Sequence, residues 1–412
     1  MYKSFDLLKD LYFVRTSGSK EEENAANILQ KECQKLGISA VIEEFPVDGY
    51  KIQEAKLSFK NPDLELECVG VGQSGNALIT GKFVYVESDY DIEVKDIKDA
   101  VCFIDKKIVP NKLYKRLCEK GAAALILMSG DIYDKKEDTD NAPYMYRERH
   151  YSIKKIPAVS IKIQDAEQLI RLMPETAIVF IKQDEFKCQS RNVVATIEGS
   201  KYKDEIIAFT AHYDSVQFSK GAYDNATGST GIMQLLSYFA INRPLRTMKF
   251  IWCGSEEVGL LGSKAYCEKH KDELENYRFD LNIDMIGVTL GFDFVSVTAG
   301  TDLVNFIDYY AKINGFGLVV KQGVYSSDSS PFADNNVPSI TFARLAPAGG
   351  AVIHSKKDVM DNLSEGNYYK TLDFLANFIA KLDSSVCFPV KKEMPQNMKD
   401  ELDYYFFRKE RP

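Results

Sequence analysis

Five short segments of this chain carry residue types that bind metals and move protons. They are His212-Tyr213-Asp214-Ser215, the Gly-rich loop Gly221-Ala222-Tyr223-Asp224-Asn225-Ala226-Thr227-Gly228, Gly254-Ser255-Glu256-Glu257, Asp284-Met285-Ile286-Gly287, and His354 within GGAVIHSKKD. Two histidines and several carboxylates suit a pair of divalent ions. Imidazole and carboxylate are good zinc ligands, and a catalytic zinc keeps one position open for water. Two adjacent ions need a shared carboxylate, and a loop residue such as Asp224 is able to reach between them. Asp214, two residues after His212, is suited to accept the other ring N–H of that imidazole, which fixes its tautomer and raises its basicity. In the doublet Glu256-Glu257, neighbouring side chains on an extended segment point apart. One is then able to bind metal while the other stays free as a general base.

Any one of these motifs has an ordinary explanation. Asp caps many strand ends, Glu-Glu is common in helices, and single histidines are often structural. The ordered set of five carries the reading. The chain has only four histidines, and two of them, His212 and His354, fall in the set. His150 lies in a block with no metal-ligand spacing. His270 stands beside Glu268, Lys269 and Lys271 at the end of a helical stretch and reads as solvated helix surface.

Three of the segments follow apolar runs directly: IIAFTA before His212, KFIWC before Gly254 and FDLNI before Asp284. They sit where strands end, the edge at which open α/β sheets bind ligands. Strands are expected at 192–197, 205–211, 247–253, 279–284 and 339–342, alternating with helices at 229–240, 262–270 and 303–313. Leu372, Leu375, Phe378, Ile379 and Leu382 mark a final long helix. This alternation predicts an α/β fold, a mainly parallel central sheet with helices on both faces. Residues 1–47 open with a helix that begins in a capping box of Ser19 with Glu22 and stops at Gly37, followed by a strand near 41–45. From 48 to 185 the texture shifts to short strand-like runs at 56–59, 68–71, 81–86, 100–104, 158–163 and 177–182. A helix at 113–120 and a buried strand at 122–128 lie between them, and 131–151 reads as a long loop. No chemistry is assigned to this block. The polar, aromatic C-terminal tail shows no period.

The set of five resembles the two-zinc aminopeptidase/carboxypeptidase family. The matching segments AHYDS, GAYDNATG, WCGSEEVGLLGS, LNIDMIG and VIHSKKD come in the family's order, and the resemblance covers about 186–384 plus the N-terminal 1–47. It implies a zinc-peptidase domain formed by 1–47 and 186–412, with two Zn2+ per chain. On this resemblance Asp224 bridges both ions, His212 and Asp284 complete one site, and Glu257 and His354 complete the other. Glu256 is then the general base and Asp214 the partner of His212. The segment 48–185 resembles a β-rich protease-associated domain inserted into the peptidase, through AVCFIDKK, EKGAAALILMSG and IPAVSIKIQDAEQL. SRNVVATIEGS then looks like the return. One departure is Ser329, in Ser327-Asp328-Ser329-Ser330-Pro331-Phe332, where family members often carry His or Gln at a position that shapes the substrate site.

The activity this implies is that of a metallo-aminopeptidase acting on peptides. The metal pair activates a water, Glu256 takes its proton and returns it to the leaving amine, and a zinc ion stabilises the oxyanion. A carboxypeptidase is the alternative within hydrolases. It needs a cationic clamp for the substrate carboxylate, such as Arg344 after the strand SITFA. Glutaminyl cyclisation on a single zinc and a non-catalytic binding module are two further readings, and the presence of all five ligand positions with Glu256 speaks for hydrolysis.

Composition sets the frame. At 412 residues the chain has room for two or three domains. Its 45% apolar and 27% charged residues are an ordinary globular mix. With 52 Lys and Arg against 60 Asp and Glu, the net charge of −8 gives no footprint for nucleic acid. No apolar run reaches the roughly 18 residues of a membrane span, and no secretory leader is seen. The eight cysteines include no C-x-x-C pair. They read as reduced thiols in a cytoplasmic protein. The sequence carries no expectation of an oligomeric state.

Overall fold

The computed structural model describes residues 2–410. The chain divides into two compact units, one made of the residues up to Val47 with those from Gln189 on, the other of Asp48–Cys188.

In the first unit the strands lie in the order Leu318–Gln322, Phe292–Thr298, Ser339–Leu345, Tyr277–Ile283, Tyr202–His212, Arg246–Cys253 and then the 193–197 end of Thr176–Ile197. The four central strands run parallel, with Cys253 beside His212, Asn282 beside Thr210 and Ile283 beside Phe342. Antiparallel neighbours flank them on both sides, at Phe292–Thr298 and at 193–197. The result is a mixed, mostly parallel α/β sheet. Because the central strands are parallel and in register, their carboxyl ends reach one edge together, and the loops that leave them carry the acidic and His residues singled out above.

Burial on both faces explains the near-continuous apolar runs of these strands. Ile207, Phe209 and Ala211 face one core and Ile206 and Ala208 the other. Phe209 stacks on Phe250 with ring centroids 4.5 Å apart. Trp252 is fully buried and gives its indole N–H to the Ser229 carbonyl at 2.8 Å. That bond lets Trp252 pin the helix Thr227–Ile241 to the sheet. The first helix, Lys20–Lys35, is capped by Ser19, whose Oγ accepts the Glu22 N–H at 3.0 Å. The reciprocal half of the capping box is missing, since the Glu22 carboxylate turns to the Gly18 N–H instead.

In the second unit Ala77–Val86, Val101–Ile104, Ala124–Ser129 and Ala158–Lys162 run parallel. Helices Asn111–Glu119 and Ile163–Leu172 accompany them, over two apolar clusters. The block is therefore a mix of helix and strand and not simply β-rich. His150 is buried there between Tyr114 and Tyr146, bonded to the Arg147 N–H and the Val109 carbonyl, and burial lowers its pKa to about 4.

Several expectations need correction. Phe292–Thr298 and Leu318–Gln322 are strands that the sequence reading left out. The tail is not shapeless: Gln396–Tyr405 is a helix that buries Met398 and Leu402, one turn apart. Two apolar residues in a charged run give too little periodicity to read. The 131–151 loop holds a short helical turn at Lys136–Asp138 and a helix at Glu148–Tyr151. His270 is not solvated surface, because its ring stacks on Tyr266 and its Nε2 lies 3.0 Å from both oxygens of Glu43. Among the described residues no helix is long and apolar enough to cross a membrane.

Backbone approaches tightly at Gly228, where an added Cβ would lie 2.2 Å from the Ile283 carbonyl and 2.4 Å from Asn225 Oδ1. Backbone cannot yield that far, so Gly228→Ala should destabilise by about 1–3 kcal/mol or more. Gly366→Ala meets nothing nearer than Ser364 Oγ at 3.8 Å. It should leave stability unchanged or raise it by about 0.4–1 kcal/mol. Urea unfolding of the two variants checks the contrast, and equal midpoints would contradict the packing at Gly228.

Candidate metal centre

The sheet edge brings the five segments to one place. His212 ends its strand, and Asp284 follows Ile283 one strand away. The Gly254-Ser255-Glu256-Glu257 turn follows Cys253 on the other side. The loop of Asp224 enters from above the helix Thr227–Ile241, and His354 comes from the long connection after Ser339–Leu345. Two groups of donors result, His212 with Asp224 and Asp284, and Asp224 with Glu257 and His354, the atoms of each lying within 4.8 Å of one another.

Asp224 belongs to both groups. Its Oδ1 lies 3.1 Å from His212 Nε2, and its Oδ2 lies 2.9 Å from His354 Nε2. Glu257 Oε2 is 3.1 Å from the same His354 nitrogen, and Asp284 Oδ1 is 3.6 Å from His212 Nε2. Asp284 Oδ1 is buried with no hydrogen bond. A buried carboxylate oxygen left in that state is costly, so the donor set fits a bound cation. On the far side of His212, Nδ1 lies 3.4 Å from Asp214 Oδ1. Asp214 also accepts the backbone N–H groups of Glu256 and Glu257, at 3.0 and 3.1 Å. One carboxylate thus lies beside an imidazole and sets the glutamate doublet.

Electrostatics point the same way. Burial opposes the imidazolium of His354, yet the bonds to Asp224 and Glu257 win and raise its pKa to about 10. Burial likewise opposes His212, but Glu256, Asp214, Asp224 and Asp284 raise it well above normal. Asp224 is desolvated, and the two imidazoles nevertheless hold its pKa down. Glu257 and Asp284 are raised by burial first, with Asp224 adding to both. Half-buried Glu256 is raised well above the carboxylate range by desolvation and by Glu257, Asp328 and Asp284, against the pull of His212.

The backbone is bent to reach this arrangement. Ser255, Met285 and His354 all adopt the left-handed region, with φ of 56°, 62° and 57°. Such residues cluster at functional sites because each conformation costs of order 1 kcal/mol and needs support. Part of the support lies in residues that the sequence reading passed over. Asp358, four residues after His354, accepts the N–H groups of Tyr223 and Asp224 at 2.7 and 3.0 Å. Asn225 donates to the Ile283 carbonyl at 2.9 Å and accepts from the Met285 N–H at 3.0 Å. Arg15 is fully buried and spends its guanidinium on the carbonyls of Leu11, Phe13, Tyr213, Lys220 and Gly221. It ties the N-terminal segment to the loop that carries Asp224. Asn225 and Asp358 lie inside the quoted motif segments without a role assigned to them, and Arg15 has no local spacing to mark it.

Two candidate substrate residues are placed differently from expectation. Arg344 is bound at Nε to the Val288 carbonyl, 2.9 Å away, and at its guanidinium to Asp293, 3.1 Å away. Ser329 is buried in a hydroxyl cluster, 2.9 Å from Ser327 and 2.7 Å from Thr341. Neither is presented as a free group beside the donors. An apolar cluster of Tyr223, Met285 and Val288 with Tyr325, Ala351 and Ile353 instead adjoins Asp224, Asp284 and His354.

Two donor groups sharing one carboxylate at the carboxyl edge of a parallel sheet are the makings of a binuclear metal centre. Residues 192–379 match the family model described as Peptidase family M28. Over that stretch the chain is similar to the family, and together with the donor set this reads as a metal-dependent hydrolase of peptides, for which the family implies zinc. Aminopeptidase YwaD of Bacillus subtilis strain 168 is 25% identical over 97% of this chain and 87% of its own length. Carboxypeptidase Q of Homo sapiens is 24% identical over 69% of this chain, which spans 64% of that relative. In fold the chain is similar to BSAP, a zinc aminopeptidase from Bacillus subtilis, with a TM-score of 0.76, 21% identity and 95% and 97% of the two chains covered. It is also similar to the Peptidase M28 precursor of Shewanella amazonensis, with a TM-score of 0.78, 21% identity and 96% of each chain covered.

Metal ligands must be deprotonated to bind. The imidazolium of His354, with its pKa near 10, therefore has to lose its proton when an ion enters. Zinc titrated into the metal-free protein at pH 7 should release protons, and its affinity should weaken as pH falls. Calorimetry in buffers of different ionisation heat measures this. A heat of binding that does not vary with the buffer would contradict the protonated, metal-free cluster.

Proposed function

We propose that this chain is a two-metal aminopeptidase that removes N-terminal residues from peptides. The reading is carried by one observation, the two oxygens of Asp224 facing two different histidines. In it His212, Asp224 and Asp284 would hold one Zn2+, and Asp224, Glu257 and His354 would hold the second. Zinc at such a centre supplies Lewis acidity and lowers the pKa of water. Glu256 accepts the proton of the attacking water and returns it to the leaving amine. Asp214 keeps His212 in the tautomer that leaves Nε2 free to bind metal.

The choice of N-terminal over C-terminal cleavage rests on the state of the cationic clamp that a carboxypeptidase would need. Arg344, the residue best placed in sequence to clamp a substrate carboxylate, is engaged by Asp293. The length of the likeness to an aminopeptidase supports the same choice. The apolar cluster that includes Met285 and Ile353 favours an apolar side chain next to the bond that is cut. We read Asp48–Cys188 as a protease-associated domain, on the segments quoted above and on its separate compactness, and the protein as cytoplasmic.

Glu256→Gln keeps shape and hydrogen-bonding reach but removes the proton acceptor. Turnover of a peptide with a free N-terminus should fall by about 10²–10⁴-fold with both zinc ions retained. N-blocked peptides should not be cut by the unaltered protein. Near-normal turnover in Glu256→Gln would contradict the role of the base, and cleavage of blocked peptides from their free C-terminus would favour the carboxypeptidase reading.

A further inference from the structure

The turn that presents the glutamate doublet is held at two points. Asp214 takes the N–H groups of Glu256 and Glu257, as described. The second hold is on Ser255, the left-handed residue immediately before them, and it comes from the other end of the sequence. Glu22 is fully buried, and its Oε1 accepts hydrogen bonds from Ser255 Oγ at 3.1 Å and Ser190 Oγ at 2.8 Å. Its Oε2 accepts the Gly18 N–H at 2.7 Å. Ser17 Oγ lies 2.5 Å from Ser255 Oγ, so the same hydroxyl is gripped from both sides by one N-terminal stretch. The fit is close, for a Cβ on Gly254 would lie 3.0 Å from Glu22 Oε1. A cap for the helix Lys20–Lys35 would not require any of this. Ser19 already caps it, and the usual reciprocal bond from residue 22 to the cap N–H is given up.

We propose that Glu22 is a positioning residue of the active site. It fixes the Ser255 turn and through it the directions in which Glu256 and Glu257 leave the strand. The geometry matters because a base misplaced by an ångström loses much of its effect, and because partners behind metal ligands govern affinity. This inference rests on the proposed roles of Glu256 and Glu257.

The test compares Glu22→Ala, Glu22→Gln and Ser19→Ala with the unaltered protein, with Glu256→Gln as reference. Three quantities are read: kcat and KM on an aminoacyl arylamide, zinc affinity by competition with a chromophoric chelator, and the melting temperature of the metal-free protein. Glu22→Ala should lower kcat by about tenfold or more with KM little changed, and weaken one of the two zinc ions about tenfold or more. Glu22→Gln should recover most of both, because its amide oxygen serves Gly18 while the serine hydroxyls turn to accept. Ser19→Ala removes the helix cap without touching Ser255. It should lower the melting temperature yet keep kcat and zinc affinity within about twofold. If Glu22→Ala fails to fold, Ser255→Ala removes the same contact from the other side and should show the same losses. The proposal is overturned if Glu22→Ala, or Ser255→Ala in its place, melts lower but keeps kcat and both zinc affinities. It is also overturned if Ser19→Ala loses as much activity as Glu22→Ala. Full activity in Glu256→Gln would instead sink the functional reading, and the zinc affinities would still decide the role of Glu22.

Discussion

Everything around the sheet edge answers one electrostatic problem. Asp224, Glu257 and Asp284 are buried, and Asp224 lies within 4.8 Å of Asp284 and His212 in one donor group and of Glu257 and His354 in the other. Like charges so placed repel strongly where water is excluded, and each has lost hydration. Added positive charge, which a pair of divalent ions would provide, relieves that repulsion. The arrangement also has to persist before any ion arrives, so the chain must hold the donors against their own repulsion. Hydrogen bonds do this largely from side chain to backbone. Asp214 grips the Glu256-Glu257 turn, Asp358 grips the backbone at Tyr223 and Asp224, and Asn225 grips the ends of Ile283 and Met285. Arg15 adds a buried positive charge below the acidic cluster without touching any carboxylate, and its burial is offset by the carbonyls it binds.

This division of labour explains what could be read from the sequence. Three of the donor segments were legible because they lie at the ends of apolar strands, where a break in hydrophobicity coincides with His, Asp or Glu, whereas Asp224 and His354 stood out through a Gly-rich loop and the scarcity of His. The central strands and helices were legible for the same reason, since burial on both faces produces long apolar runs. The edge strand Leu318–Gln322 alternates in burial and is short, so LVVKQ reads as weak. The supporting residues were hidden for a different reason. Glu22 and Ser255 are 233 positions apart, and Arg15 and Gly221 are 206 apart. No window of sequence contains both partners. Glu22 even fitted a local explanation, the capping box, and only the structure shows its carboxylate pointed elsewhere.

Resemblance and geometry also divide the functional question between them. The family match covers the segment with the donors, and together they read as a metallopeptidase. The surroundings of the donors bear on which end of a peptide is cut. With Arg344 already paired to Asp293, the clamp named for a substrate carboxylate is engaged elsewhere, which favours cleavage from the N-terminal end. The apolar residues Met285 and Ile353 each directly adjoin a donor in sequence, so the donors and the proposed side-chain pocket are built from the same loops. A change in one of these loops should therefore alter metal binding and side-chain preference together.

The central claim is that Asp224 joins two ions, and zinc stoichiometry tests it most directly. Metal-free protein and its Asp224→Ala variant would be equilibrated with buffered zinc and analysed for bound metal. The account predicts two ions per chain in the unaltered protein, with both weakened together in Asp224→Ala, because each ion loses a ligand and the remaining donors lose the charge that organises them. A single ion in the unaltered protein, or full retention of either ion in Asp224→Ala, would contradict it.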